Sequence, residues 1–286
     1  MATDTPFRPR YHYTPRAGWM NDPNGLVYFN EEWHLFYQYY NPDEVDGMQW
    51  GHAVSTDLFN WEELPAAIPP DENGHIWSGS AVVDHTDTSG LFGGKPGIVC
   101  LFTYWKQHEE GRQSQGMAYS ADGRTFTAYE GNPVIPQLRY LEGHPDDKDF
   151  RDPKVLWHEE TGKWIMVVAG GKLRVFSSEN LRDWTFETLQ KDIITECPDL
   201  FRLPLDGDTG NTKWVLSGGG RWNMAGDFDG KTFTKETEAI TFGAGPAFYA
   251  TQTWSDAPDD RRVGISWVYG WGYKSGPSQG AIRNPF

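Results

Sequence analysis

The chain has 286 residues and a formal net charge of −15, and no apolar stretch in it approaches the ~18 residues of a membrane-spanning helix. The acidic balance argues against nucleic acid or an anionic membrane as a partner, because either would require a basic protein surface. Residues 1–10 lack the charged-then-apolar pattern of a secretory signal. The sequence therefore leaves two localisations open, the cytoplasm or export with a signal that has been removed.

Aromatic residues make up 15% of the chain, with 14 Trp, alongside 32 Gly and 19 Pro. This composition is typical of many short strands joined by tight turns, with aromatic packing between sheets. Cys100 lies in an apolar run that predicts a buried position, and a disulfide between Cys100 and Cys197 stays open. No spacing of cysteine and histidine typical of a zinc site is present.

Alternating, aromatic-rich runs recur along the chain, and several of them split around turn residues, which indicates β-hairpins. The runs are residues 26–40, 98–105, 154–169, 200–217 and 262–269. No long segment has helical periodicity, so the sequence predicts an all-β protein.

A polar turn followed by an aromatic residue returns after each of the first four hairpins. The aromatics are Trp61, Phe126, Trp184 and Phe233, at intervals of 65, 58 and 49 residues. A repeat of this length with about four short strands is typical of a propeller blade. With a fifth unit starting near Phe248, we expect a five-bladed β-propeller, and the sequence leaves open whether its last blade is complete. A β-sandwich is the alternative, but it gives no reason for the repeat.

Three carboxylates, Asp22, Asp152 and Glu196, each precede a strand-like run and have a proline one or two positions later. In a propeller the first strand of each blade lines the axis, so the three acids should converge on one pocket. Three neighbouring carboxylates repel one another, and at least one should have a raised pKa. An ionised acid that attacks and a protonated acid that donates are what glycoside cleavage requires. Side chains suited to a sugar lie near the same positions, namely Trp19, Gln38, Trp50, Trp77, Ser78 and Trp271.

Six motifs, in this order along nearly the whole chain, resemble those of glycoside hydrolase family 32. They are residues 19–25 (WMNDPNG), 36–42 (FYQYYNP), 49–55 (QWGHAVS), 77–81 (WSGSA), 150–154 (FRDPK) and 196–200 (ECPDL). The family comprises invertases, levanases, inulinases and related fructosyltransferases built on a five-bladed propeller. The resemblance therefore implies a retaining β-fructofuranosidase that acts on sucrose or a fructan.

By this resemblance Asp22 is the nucleophile, Glu196 is the general acid and then the base, and Asp152 holds fructose hydroxyls and stabilises the transition state. Retention of configuration places the carboxyl groups of Asp22 and Glu196 about 5 to 5.5 Å apart. No metal or organic cofactor is implied. The positions expected to contact substrate are Asn21, Gln38, Trp50, Trp77, Ser78, Arg151 and Trp271.

Two features depart from the family pattern. Ala247 stands where relatives often have Asp, next to the acid/base network, and the chain ends at Phe286, where relatives continue with a last strand and a β-sandwich. We therefore expect one catalytic domain over residues 1–286, without the C-terminal β-sandwich. Three alternatives remain: a fructosyltransferase with the same site, a propeller that binds fructan without cleaving it, and an inverting glycosidase acting on pentose polymers. Carboxyl groups more than about 6.5 Å apart would favour the last.

Overall fold

The computed structural model describes residues 9, 11–106, 109, 111–137, 149–241 and 247–268. In these residues the regular structure consists of β-strands alone, which confirms the all-β prediction. The described residues contain no helix of the length and hydropathy needed to cross a membrane.

Four antiparallel sheets, here called blades, follow one another along the chain. Blade 1 contains β1 (Trp19–Phe29), β2 (Glu32–Tyr40), β3 (Gln49–Ser55) and β4 (Glu62–Ile68). Blade 2 contains β5 (His75–Asp84), β6 (Gly97–Lys106), β7 (Arg112–Ser120) and β8 (Thr127–Ala128). Blade 3 contains β9 (Arg151–His158), β10 (Lys163–Ala169), β11 (Leu173–Ser178) and β12 (Thr185–Gln190). Blade 4 contains β13 (Asp199–Leu205), β14 (Asp208–Gly218), β15 (Trp222–Phe228) and β16 (Phe233–Lys235), and β17 (Ile240–Thr241) also pairs with β15.

The last sheet has two strands, β18 (Phe248–Thr253) and β19 (Gly264–Val268), and is called the closing sheet below. The prediction of five blades is therefore wrong: the described residues form a propeller of four blades plus this two-stranded sheet. The reason for the smaller number of blades is visible in the sequence. The polar turn joins the third and fourth strands of each blade, and it occurs in four copies, none of them in the described part of the fifth unit.

The polar turn has the same hydrogen bonds in every blade. A side-chain oxygen accepts from the backbone N–H groups two and three residues later, at Asp57, Asp122, Asn180 and Asp229. The aromatic residue that follows each turn packs in a different hydrophobic cluster, with Trp61, Phe126, Trp184 and Phe233 in four separate clusters between sheets. The repeat seen in the sequence is thus a repeat of core construction.

Hydrogen bonds between inner strands join the blades. The Gly79 N–H of blade 2 donates to Asn24 Oδ1 of blade 1 at 2.9 Å, and the Val155 N–H of blade 3 donates to Ser80 Oγ at 2.9 Å. Asn24 and Ser80 are both buried, so these contacts satisfy polar groups that water does not reach. They fix the central parts of β1, β5 and β9 relative to one another.

The ring is completed by the closing sheet. The buried Lys154 Nζ of blade 3 lies 3.0 Å from Asp199 Oδ1 of blade 4, and Asp199 Oδ2 accepts the Thr253 N–H at 2.6 Å. Ser255 then exchanges backbone hydrogen bonds with Leu26 and Tyr28 of β1, at 2.9 and 3.0 Å. The chain after β18 therefore returns to the first strand, and the inner strands surround one axis.

Cys100 is fully buried in the cluster between blades 1 and 2, as its apolar neighbours predict. Cys100 and Cys197 are both free thiols, so the disulfide that the sequence left open is not formed. The assignment of residues 1–286 to a single domain stays a prediction.

Candidate active site

The three carboxylates predicted to converge line one cavity of about 640 Å³ at the leading ends of the inner strands. Its lining consists of Trp19, Asn21, Asp22, Gln38, Met48, Trp77, Ser78, Arg151, Asp152, Glu196, Cys197, Arg221, Tyr249 and Trp267. Eight of the ten site residues predicted from the sequence are among these residues, and Trp271 lies outside the described residues.

Trp50 corrects the sequence-based expectation, because it does not line the cavity. Its side chain is fully buried against Phe36 and Phe102, and its Nε1 donates to the carbonyl oxygen of Trp77 at 3.0 Å. It therefore supports Trp77 from the core side. In this structure the Trp50 side chain therefore has no surface exposed to the cavity.

Asp22 lies in an irregular stretch of β1. The pairing with β2 shifts register between Met20 and Pro23, and again between Asn24 and Val27. Such bulges re-aim side chains, which explains how Asp22 points into the cavity from within a strand. Asn24 Nδ2 donates to the Asp22 carbonyl at 2.8 Å, and Ser78 Oγ donates to Asp22 Oδ2 at 3.4 Å.

Asp152 is the second residue of blade 3 and has a left-handed backbone, at φ 59°. Its N–H donates to Thr103 Oγ1 at 3.0 Å, and its Oδ2 accepts the N–H of Cys197 at 3.0 Å. Cys197 is also left-handed, at φ 41°, and its Sγ lies 3.8 Å from Asp22 Oδ2. Two non-glycine residues in this region of φ and ψ are costly, and such strain concentrates at functional sites.

Glu196 lies in the bend just before β13, where the Gly219 N–H donates to its carbonyl oxygen at 2.6 Å. Each of its carboxylate oxygens has a donor. Arg151 Nη2 is 2.6 Å from Oε1, and Tyr249 Oη is 2.5 Å from Oε2. The side chain is 46% exposed, so a ligand in the cavity can reach it.

The carboxylates have unequal pKa values. Burial first, and then the charges of Asp152 and Glu196, raise the pKa of Asp22 to about 7, against the hydrogen bonds from Asn21 and Ser78. Burial also raises the pKa of Asp152, although the Arg151 charge opposes it. The sequence-based expectation of a raised carboxyl pKa is met at these two residues.

Glu196 shifts the other way. Burial raises the pKa of Glu196, but the hydrogen bonds from Tyr249 and Arg151 together with the Arg151 charge outweigh it, and the pKa is lowered overall. In the free cavity a single proton therefore resides on Asp22 in preference to Glu196. This order is the reverse of the one implied by an attacking Asp22 and a proton-donating Glu196.

Sequence reasoning missed Tyr249 and Arg221. Tyr249 belongs to the segment Phe248, Tyr249, Ala250, which directly follows the departure from the family pattern at Ala247. Arg221 follows three glycines, and its guanidinium lies 5.4 Å from the centroid of the Tyr249 ring. The Gly-rich turn before Arg221 is the one sequence signal that could have indicated this position.

A second cavity, of about 510 Å³, lies further along the inner strands and contains none of the three carboxylates. Its lining includes Lys154, Leu200 and Arg262. Lys154 is already paired with Asp199, and Arg262 donates to the Trp254 carbonyl at 3.1 Å. The catalytic candidates therefore belong to the first cavity.

Comparison with known proteins extends over most of the chain. Residues 12–282 match the family described as "Glycosyl hydrolases family 32 N-terminal domain". A levanase of Bacillus subtilis (strain 168) is 46% identical over 295 aligned residues, which cover 94% of this chain and 42% of the levanase. An extracellular exo-inulinase of Aspergillus niger is 38% identical over 325 residues, covering 94% of this chain and 59% of the relative.

Solved structures agree with this comparison. The exo-inulinase of Aspergillus awamori matches with a TM-score of 0.82 and 37% identity, over 96% of this chain and 62% of that one. The β-fructofuranosidase of Schwanniomyces occidentalis complexed with fructosyl-erythritol matches with a TM-score of 0.80 and 38% identity, over 93% of this chain and 55% of that one. The chain thus spans less than two thirds of the length of each of these relatives. Because the family match covers nearly all of it and these relatives share more than a third of its residues, the chain belongs to glycosyl hydrolase family 32.

Proposed function

We propose that this chain is the catalytic part of a retaining β-fructofuranosidase, which releases fructose from sucrose or from inulin- or levan-type fructans. The observation that carries the proposal is the convergence on one cavity of Asp22 from β1, Asp152 from β9 and Glu196 from the bend before β13. The names of the relatives, levanase, exo-inulinase and β-fructofuranosidase, supply the substrate class. Residues 1–286 would form a single catalytic domain.

In the first step, a carboxylate oxygen of Asp22 attacks the anomeric carbon of the fructosyl unit. The bond from that carbon to the leaving oxygen breaks, and the leaving oxygen takes the proton of Glu196. The product is a covalent fructosyl-enzyme with an ionised Glu196. Asp22 is partly buried against Ser78 and Cys197, and Glu196 is nearly half exposed, which suits an attacking group below the sugar and a proton donor nearer the leaving group.

In the second step, ionised Glu196 takes a proton from a water molecule as the water oxygen attacks the anomeric carbon. The bond to Asp22 breaks, fructose leaves, and Glu196 is again protonated. If a sugar hydroxyl replaces the water, the same residues perform fructosyl transfer. A carboxyl separation of about 5 to 5.5 Å between Asp22 and Glu196 stays a prediction of this mechanism.

Asp152 would accept hydrogen bonds from fructose hydroxyls and oppose the positive charge that develops on the ring in the transition state. Its orientation is fixed by the N–H of Cys197, so the carboxylate need not reorganise when substrate arrives. Arg151 joins Asp152 to Glu196, with Nε 3.9 Å from Asp152 Oδ2 and Nη2 2.6 Å from Glu196 Oε1.

The remaining lining residues fit a sugar ring. Trp77 stacks on Trp105 with ring centroids 4.9 Å apart, which fixes the indole plane at the cavity wall. Aromatic faces pack on the C–H faces of sugars, and Asn21, Gln38 and Ser78 supply groups that hydrogen-bond to hydroxyls. Trp271, outside the described residues, is proposed as a further contact from the resemblance alone.

The test is sugar release from sucrose, inulin and levan, with the anomeric configuration of the first-formed fructose followed by NMR. Hydrolysis with retention is the expected result. Asp22→Asn should abolish release, whereas Asp206→Asn, an exposed turn residue, serves as the matched control. Elongated oligosaccharides at high sucrose would indicate the transferase. Fructan binding without release by the unaltered chain would contradict the enzymatic proposal.

A further inference from the structure

The Glu196 carboxylate is held from two sides by groups of different sheets. Arg151, at the start of blade 3, donates to Oε1 at 2.6 Å, and Tyr249, in the closing sheet, donates to Oε2 at 2.5 Å. Glu196 itself belongs to neither sheet, since it precedes blade 4. The orientation of its carboxylate therefore depends on how the closing sheet is docked.

The same short turn fixes the backbone of both residues. The Gly219 N–H donates to the Glu196 carbonyl at 2.6 Å, and the Gly219 carbonyl accepts the Ala250 N–H at 2.8 Å. Thr251 Oγ1 adds a hydrogen bond to the Gly220 carbonyl at 3.2 Å. Because Glu196 and Tyr249 are tied to one turn, their relative position is set by the backbone and not by two independent loops.

The local geometry of β18 aims the Tyr249 ring. Pairing with β19 shifts register between Tyr249 and Gln252, and Ala250 within that shift has φ 52°. This is the behaviour of a bulge that redirects a side chain. Arg221 covers the ring with its guanidinium at 5.4 Å, and its Nε donates to the Phe248 carbonyl at 3.4 Å.

We propose that Tyr249 is a positioning residue for the acid/base Glu196, an inference that rests on the proposed function. In this arrangement the transferred proton is carried by Glu196 Oε2, the oxygen beside Tyr249. A guanidinium can only donate hydrogen bonds, so Arg151 keeps Oε1 as an acceptor throughout the cycle. A tyrosine hydroxyl can donate to an ionised carboxylate and can accept from a protonated one. Tyr249 can therefore serve both the first step, in which Glu196 loses the proton, and the second, in which it regains it.

The first test compares two leaving groups in Tyr249→Phe, which removes only the hydroxyl. With sucrose, whose departing oxygen needs a proton, kcat/KM should fall about tenfold or more, a part of the 10²- to 10⁴-fold that general acid catalysis contributes. With fructosyl fluoride, which departs without protonation at oxygen, the fall should be clearly smaller. Equal losses on the two substrates, or wild-type values on both, would overturn the proposal.

Tyr104→Phe is the matched control. Tyr104 Oη donates to Asp71 Oδ2 at 2.7 Å, so this variant also removes a tyrosine to carboxylate hydrogen bond, but outside the cavity lining. It should leave the ratio of kcat/KM between the two substrates unchanged. Thermal melting of both variants separates a folding defect from an effect at Glu196.

The second test does not depend on turnover. A carboxyl-carbon NMR titration of Glu196 in the folded protein should give a higher pKa in Tyr249→Phe than in the wild type, because a donor to the ionised form has been removed. An unchanged titration would overturn the proposal. If the wild-type chain releases no fructose, the proposed function is wrong. A shifted Glu196 titration in Tyr249→Phe would still support the contact that positions Glu196.

Discussion

The backbone N–H of Cys197 donates to Oδ2 of Asp152 at 3.0 Å, and the two residues share a left-handed backbone although 45 positions separate them. The contact joins the entry of blade 3 to the entry of blade 4. It orients a buried carboxylate whose pKa is raised, and the chain sustains the strain of both conformations at the one place where substrate would bind.

Replacing Asp152 with Asn tests the charge of this carboxylate apart from its shape. The amide oxygen can still accept the Cys197 N–H, so we expect an intact fold. Loss of the charge that faces the developing positive ring should lower kcat/KM for sucrose by about a hundredfold, comparable to removal of one preorganised transition-state contact. Activity within a few fold of the wild type, in a variant of unchanged melting temperature, would refute the role given to Asp152.

Asp22→Asn should stabilise the protein while it abolishes activity. The raised pKa of Asp22 means that the folded state holds this proton more tightly than the unfolded state does. Stability from this group is therefore fully present below the unfolded pKa of about 3.8 and is lost as the pH rises through about 7. The variant should melt several degrees above the wild type at pH 8, with the difference vanishing near pH 4. Melting curves at the two pH values check the sign, and a lower melting temperature of the variant at pH 8 contradicts it.

The pH dependence of kcat/KM should be bell-shaped, because the reactive form needs an ionised Asp22 and a protonated Glu196, hence one proton on the pair. In the free cavity that proton favours Asp22, so the reactive arrangement is a minor part of the singly protonated state. Activity should fall above about pH 7, where the pair loses its last proton. Initial rates at low substrate between pH 3 and 9 measure this limb. Undiminished activity at pH 9 would contradict the assignment of this proton to the pair of Asp22 and Glu196.

Gly220→Ala should displace β18. A Cβ at Gly220 would lie 2.0 Å from the Thr251 nitrogen, and the residue has φ 64°. Gly207→Ala is the matched control, because Gly207 has φ 81° but nothing within 4 Å of its Cβ position. The control should cost only the left-handed strain of about 1–2 kcal/mol. Urea unfolding of both variants separates the clash at the Gly220 Cβ from the backbone strain that the two substitutions share. This clash should lower both the free energy of unfolding and the fructose release of Gly220→Ala. Equal effects of the two substitutions would contradict the docking described for β18.

The sequence predicted the convergence of the three acids because each precedes a strand-like run at the same position of the repeat, and the ring makes those positions neighbours. It predicted the blade repeat from the polar turns, whose hydrogen bonds recur at Asp57 and its counterparts. The count of five failed because this turn is missing from the described part of the last unit. Neither the composition nor the order of the motifs indicates how many strands that unit contains.

Trp50 and Tyr249 show what sequence patterns do not encode. Every residue of β3 is buried, so the alternation that normally separates a core face from an exposed face gives no assignment for Trp50. Tyr249 reaches Glu196 across 53 positions, through a bulge whose direction depends on packing against the Gly219 turn. Both outcomes follow from three-dimensional packing and not from local periodicity.

The backbone pairing of Ser255 with Leu26 and Tyr28 has a consequence for biosynthesis. The four blades emerge from the ribosome before the segment that bridges blade 4 to β1, so until that segment follows, the edge of the first strand next to Ser255 lacks this partner. Such an edge is a site for mispairing with other nascent chains until its own segment arrives. The cavity wall at Tyr249 is added in the same event, so the cavity that holds the three carboxylates is complete only after this segment has docked.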